Sequence, residues 1–168
     1  MYTDLDSLAV TVVLAMEGRT VATAESITGG DIGATITSIP GSSKIYRGGI
    51  TSYATDLKES LLGVSAEVLK GGAVQAEVAL QMARGVATRL NADFGLAVTG
   101  VAGPAAQDGV SAGTVFVACV ERNSDGEYIE QVVEDLHFTP EVTDPVLVRA
   151  EIREETVAAA LELLMSFL

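Results

Sequence analysis

Val21-Ala22-Thr23-Ala24 reads as a short buried strand that runs straight into Glu25-Ser26-Ile27-Thr28-Gly29-Gly30 and then a helix of small residues from about Asp31 to Thr37. A strand that feeds a helix through so short a glycine turn calls for a layered fold, in which the helix returns over one face of a sheet. The rest of the chain keeps the alternation. Leu5, Leu8, Ala9, Val12, Val13 and Met16 form the stripe of an amphipathic helix that Glu17-Gly18 closes. Pro40-Gly41-Ser42-Ser43 is a turn, Gly49–Tyr53 a second strand, and Thr55 to Leu62 a short helix, after which Ser65 can cap a further helical turn. Residues 75 to 90 carry helical spacing through Val78, Met82, Val86 and Leu90, and Phe94–Thr99 is a third strand entering Gly100-Val101-Ala102-Gly103-Pro104.

Gly113–Val120 is nearly all apolar, as an interior strand is, and Asn123-Ser124-Asp125-Gly126 turns it into a fifth strand over Tyr128–Phe138. The tail from Asp144 to Phe167, with Val148, Ile152, Ala159, Leu163 and Phe167 on one face, closes the chain as a long helix. The expectation is an α/β fold, a three-layer α/β/α sandwich with a five-stranded mixed, mostly parallel sheet, as one domain over residues 1–168. In such sheets ligands lie outside the carboxyl ends of the strands. Three loops of small polar residues fall there: Ser26–Gly30, Tyr53–Lys58 and Thr99–Pro104.

Charge and residue counts narrow the function. Hydrophobic residues make up 48% of the 168 and the net charge is −13, so a real core is available while phosphate backbones and anionic lipid are repelled. No nucleic-acid or membrane partner is expected. One cysteine and one histidine exclude an internal disulfide and a Cys/His zinc cluster, and fit a reducing cytoplasm. The opening segment carries Asp4 and Asp6 and no basic stretch, so neither a signal nor a transit peptide is expected.

Ser26 can present its hydroxyl and the following N–H groups to one pocket, or can be an ordinary turn serine. A nucleophilic serine needs a base. His137, the one histidine, falls at the end of the fifth strand and reads as a strand-end residue. Lys58 is then the candidate: with Thr55 as cap it falls at about the third helical position, where the helix dipole lowers its pKa and Asp56 and Glu59 oppose the shift. It can equally be a solvated helix lysine. Cys119, inside an apolar strand, reads as a buried structural thiol. Arg149 and Arg153, one helical turn apart among glutamates, read as surface ion pairs or as partners for a phosphate.

Taken in order, Ala24-Glu25-Ser26-Ile27-Thr28-Gly29-Gly30, Pro40–Ser43, Gly49 to Tyr53 with Lys58, Leu61–Val64, Gly72–Val74, and Ala97-Val98-Thr99-Gly100-Val101-Ala102-Gly103-Pro104 with Gly113–Val115 resemble the CinA C-terminal domain family, the nicotinamide-nucleotide amidohydrolases. The similarity runs from about Leu5 to Leu164. It implies hydrolysis of nicotinamide mononucleotide to nicotinate mononucleotide and ammonia, with no metal and no cofactor. It places the nucleophile on Ser26 and the base on Lys58, with Tyr53 beside them as the next candidate base. Thr28, Gly29, Gly30, Thr55, Thr99, Gly100, Gly103 and Arg153 are the expected substrate-binding positions, and a homo-oligomer, dimer or larger, is the expected assembly. Three departures stand out: Ile27 where members usually have Cys, Thr55 where an Asn is usual, and Ala105–Ala112 in place of a Gly-rich, Lys-Pro-containing stretch. A second class fits the same residues, a nucleotide-binding or partner-binding module of this fold that has lost turnover.

Overall fold

The computed structural model describes residues 4–168. Five strands, β1 (Val21–Glu25), β2 (Tyr46–Thr51), β3 (Phe94–Gly100), β4 (Thr114–Arg122) and β5 (Tyr128–His137), form one sheet in the order β2-β1-β3-β4-β5. β1 is parallel to β2 and β3, and β4 is antiparallel to β3 and β5. Four strands therefore point one way and β4 runs against them, which is the mixed, mostly parallel sheet that the sequence predicts.

Among the described residues, six α-helices cover the two faces. α1 (Asp4–Ala15), α2 (Asp31–Thr37) and α6 (Pro145–Met165) pack on one, and α3 (Thr55–Leu62), α4 (Ala66–Leu69) and α5 (Ala76–Arg89) lie on the other. The period of two along the strands sorts their residues between these layers. Val21, Leu96, Val98, Val117 and Cys119 face Val12, Met16, Ile32, Ile36, Ile152 and Leu161. Ala22, Ala24, Ala97, Ala118 and Val120 face Val78, Met82 and Val86 of α5. The second set is small, and that lets α5 sit close. A Cβ on Gly95 of β3 would collide with the Ala83 carbonyl, and one on Gly85 would collide with the Leu62 carbonyl.

The ends of α6 are set locally. Asp144 caps it by accepting from the N–H groups of Val146 (2.9 Å) and Leu147 (3.1 Å), and Pro145 occupies its first position. Ile152 and Leu163 are buried on it as the periodicity predicts, and Val148, Ala159 and Phe167 pack half-buried on the same core. Ser65 precedes α4, but no side-chain bond caps that turn; the Ser65 N–H instead donates to Gln81 Oε1 at 2.7 Å. Cys119 is buried, and removal from water with Glu121 and Glu130 nearby pushes its thiol up, so it stays protonated. No helix among the described residues is long and apolar enough to cross a membrane.

One strand differs from expectation. β2 starts at Tyr46 rather than Gly49 and ends at Thr51 rather than Tyr53. Its length follows from pairing with β1, Tyr46 opposite Val21 and Thr51 opposite Glu25, with one residue bulged into β2 between Tyr46 and Gly48. Gly48 takes φ 141° there, so a glycine that weakens the strand signal is what permits the bulge.

The close approach of α5 is testable. Gly95→Ala should lower the free energy of unfolding by about 2 kcal/mol or more, because the added methyl meets backbone that cannot step aside. Urea unfolding with unchanged midpoint would show that the contact is slack.

Candidate active site

β1 and β3 lie side by side with their carboxyl ends together, and the chain leaves them in opposite directions, β1 toward β2 and β3 toward β4. This is the crevice at which open α/β sheets hold ligands. A cleft of about 380 Å³ opens there.

The turn after β1 is built on a buried carboxylate. Glu25 is 2% exposed, and its side chain accepts four hydrogen bonds, two on each oxygen. Thr28 Oγ1 (2.6 Å) and the Ile32 N–H (2.8 Å) donate to Oε1; the Gly33 N–H (3.0 Å) and Thr23 Oγ1 (3.3 Å) donate to Oε2. Glu25 thus folds back onto the amino end of α2, where unpaired N–H groups and the helix dipole favour a negative charge. Gly29 (φ 64°) and Gly30 (φ 111°) take the left-handed conformations that close the turn. Ser26, between strand and turn, is left facing the cleft.

Lys58 meets it there. α3 starts at Thr55 with Ala54 in the cap position, so Lys58 is the fourth helical residue, one further on than Thr55 as cap would make it. It is 1% exposed. Nζ lies 2.9 Å from Ser26 Oγ, 2.6 Å from the Ser52 carbonyl and 3.4 Å from the Tyr53 carbonyl. Removal from water lowers its pKa to about 8, while Asp56 and Glu59 point into solvent. As an ammonium, Lys58 donates to all three oxygens. Once neutral, its two N–H bonds can keep the carbonyls and its lone pair is left to the serine hydroxyl.

Of the other expected site residues, Tyr53, Thr55, Thr99, Gly100 and Gly103 line the cleft with Ser26 and Lys58. Tyr53 is 62% exposed at the rim, and the Thr99 hydroxyl proton is committed to the Ala73 carbonyl (2.8 Å). Thr28, Gly29, Gly30 and Arg153 stand outside the lining. Thr28 is fully buried on Glu25, the Gly29 N–H is taken by the Ser26 carbonyl (3.1 Å), and Arg153 Nη2 donates to the Thr28 carbonyl (3.0 Å) and Asp31 Oδ2 (2.6 Å). Arg149, one helical turn earlier, takes the place in the cleft expected of Arg153, with Nη1 on the Gly103 carbonyl at 2.7 Å. His137 is exposed and pairs with Asp135 at the end of β5.

Sequence reasoning assigned no role to Glu25 or to the apolar lining of Ile27, Ala73, Val74, Val101 and Ala102, and offered Arg149 only alongside Arg153 as an ion pair or phosphate partner. The acid directly before Ser26, four residues from the glycine pair, is the signal that could have marked Glu25. Among the described residues, Lys58 and Arg149 are the charged side chains of the lining, with no carboxylate between them. In a chain of net charge −13, that makes the cleft a local positive site.

Comparison with known proteins gives a consistent set. The family model described as the CinA C-terminal domain matches residues 5–168. A CinA-like protein of Thermosynechococcus vestitus is 51% identical over 104 residues, 60% of this chain and 25% of that protein. One of Frankia casuarinae is 48% identical over 106 residues, 62% of this chain and 24% of that protein. The chain matches about a quarter of the length of these relatives. Among solved structures, competence/damage inducible protein CihA from Agrobacterium tumefaciens superposes with a TM-score of 0.86 at 35% identity, covering 99% of this chain and 96% of that one. A competence-damaged protein (CinA) superfamily protein from Escherichia coli gives 0.85 at 27% identity, covering 100% and 94%.

Glu25 is the part of this arrangement most exposed to a single change. Glu25→Gln keeps the shape but turns an acceptor into a donor against two donors, and should cost about 3 kcal/mol of stability. A loss below about 1 kcal/mol in urea unfolding would mean the carboxylate is not what anchors the turn.

Proposed function

We propose, for a chain that belongs to the CinA C-terminal domain family, that it hydrolyses the carboxamide of nicotinamide mononucleotide to nicotinate mononucleotide and ammonia, with Ser26 as nucleophile and Lys58 as base. The observation that carries this reading is the 2.9 Å approach of a buried amine to a buried serine hydroxyl. A lysine kept from water with no carboxylate against it is costly as a structural element and apt as a base.

Neutral Lys58 takes the Ser26 proton as Oγ bonds to the carboxamide carbon, and the carbonyl electron pair moves onto oxygen. Ile27 lines the cleft, and its N–H has no backbone acceptor among the described residues. Being next after the nucleophile, that N–H is assigned to the oxyanion. The Gly29 N–H, at an expected substrate-binding position, is already committed to the Ser26 carbonyl. The Lys58 ammonium then protonates the departing nitrogen, the C–N bond breaks, and ammonia leaves. Water attacks the acyl-serine with its proton passing to Lys58, and the Ser26 oxygen regains a proton as the carboxylate product departs.

The lining supports this substrate. Ile27, Val74, Val101 and Ala102 offer apolar surface to a flat ring, and Arg149 offers a guanidinium to a phosphate. Arg153, the other sequence candidate for that role, is held by Thr28 and Asp31.

Incubation with nicotinamide mononucleotide and coupled ammonia detection tests the reading. Folded protein that shifts its melting temperature with the nucleotide but releases no ammonia would be a binding module instead. The base must be neutral to accept a proton, so kcat/KM should climb as pH rises to about 8 and level off above it; a profile flat across that pH removes Lys58 as base.

Lys58→Ala and Ser26→Ala should each lose on the order of 10²-fold or more in kcat. Lys58→Arg should be nearly as inactive, because a guanidinium keeps its proton; near wild-type turnover in that variant would point to the Tyr53 hydroxyl. For binding, Arg149→Ala should raise KM by about tenfold and Arg153→Ala should change it little. The reverse order would return the phosphate to Arg153.

A further inference from the structure

The amino end of β2 reaches the nucleophile turn through a side chain that lies outside the cleft. Tyr46 lies on the edge strand, half-buried, and its hydroxyl is 2.8 Å from Thr23 Oγ1. Thr23 is fully buried and in turn donates to Glu25 Oε2. Because the Thr23 proton goes to the carboxylate, the Tyr46 hydroxyl donates to Thr23, and the chain of donors has one direction: Tyr46 to Thr23 to Glu25. Burial and the Glu25 charge raise the Tyr46 pKa, against the Thr23 hydrogen bond, which keeps the phenol a donor.

Two glycines make room for that hydroxyl. A Cβ on Gly33, inside α2, would collide with Tyr46 Oη, and one on Gly49, in β2, would lie 2.6 Å from it. Residues three apart on a regular strand face opposite ways; the residue bulged into β2 puts Tyr46 and Gly49 on the same side. A helix-interior glycine costs about 1 kcal/mol against alanine. Gly33 therefore gives up helix stability at the place where the phenol must fit.

Glu25 in turn holds both members of the Ser26–Lys58 pair. Ser26 is the next residue. The Glu25 carbonyl accepts from the Ser52 N–H (2.9 Å), and the Ser52 carbonyl accepts from Lys58 Nζ (2.6 Å). We propose that Tyr46 is a positioning residue for the nucleophile: its hydroxyl, through Thr23, fixes the Glu25 carboxylate that sets the distance between Ser26 and Lys58. This rests on the Ser26–Lys58 reading but not on the identity of the substrate.

The test is the rate at which a fluorophosphonate, a general probe of activated serines, labels Ser26, measured with kcat and KM for nicotinamide mononucleotide. Tyr46→Phe keeps the ring and removes the hydroxyl. It should slow labelling and kcat by about tenfold, with KM and the acid limb near pH 8 unchanged, because Tyr46 touches neither the cleft nor Lys58. Gly33→Ala, which favours the helix, should also slow labelling by crowding the phenol, and should cost little more when added to Tyr46→Phe.

Labelling at the wild-type rate in Tyr46→Phe would overturn the proposal, as would additive effects of the two substitutions. Wild-type protein that labels on Ser26 but releases no ammonia would overturn the substrate reading alone, and the variant labelling rates would still decide the role of Tyr46. No labelling of folded wild-type protein would overturn both the pair and its positioning.

Discussion

A carboxylate buried with four donors around it organises this molecule's cleft. Glu25 ends β1, and an ionised side chain at that depth is tolerable only if its oxygens are filled. The donors come from β1 itself, from the turn and from the first turn of α2, so strand, turn and helix are held in one arrangement. Its main-chain carbonyl extends the constraint to Ser52 and so to Lys58. A serine and an amine that meet at 2.9 Å are the outcome of that chain of bonds rather than of any contact they make alone.

The electrostatics of the cleft run against those of the chain. A net charge of −13 would repel an anion from most of the surface, yet the lining carries Lys58 and Arg149 and, among the described residues, no acid. Lys58 is buried, which lowers its pKa to about 8, while Arg149 lies exposed at the rim. Burial thus fits the lysine to give up its proton, while the arginine offers the cleft a planar fork of donors.

The two layers of the sandwich divide the work by side-chain size. Large aliphatic residues fill the layer under α1, α2 and α6, and alanine and glycine line the sheet beneath α5. The close seat of α5 carries α3 with it, since Gly85 lies against the Leu62 carbonyl at the end of α3. α3 bears Lys58, so the packing of a helix against small strand residues contributes to where the amine stands.

The order of strands and helices, the small-residue turn at Ser26 and the apolar run around Cys119 are legible in the chain, because periodicity and glycine placement are local properties. Even so, the Gly48-Gly49 pair concealed the first residues of β2, whose length is set by its neighbour β1. The choice between Arg149 and Arg153 was not legible: both lie one turn apart on α6, and only the seat of that helix turns one to Gly103 and the other to Asp31. The same holds for Thr28, whose hydroxyl turns inward to Glu25, and for Glu25 itself, which reads as any polar residue after a strand until α2 folds over it. Lys58 shows the division most clearly. Its residue type and its place at the start of a helix belong to the sequence, whereas its burial and its three contacts come from β1, β2 and the loop before α3 converging on it, and dielectric environment is a property of the assembled fold alone.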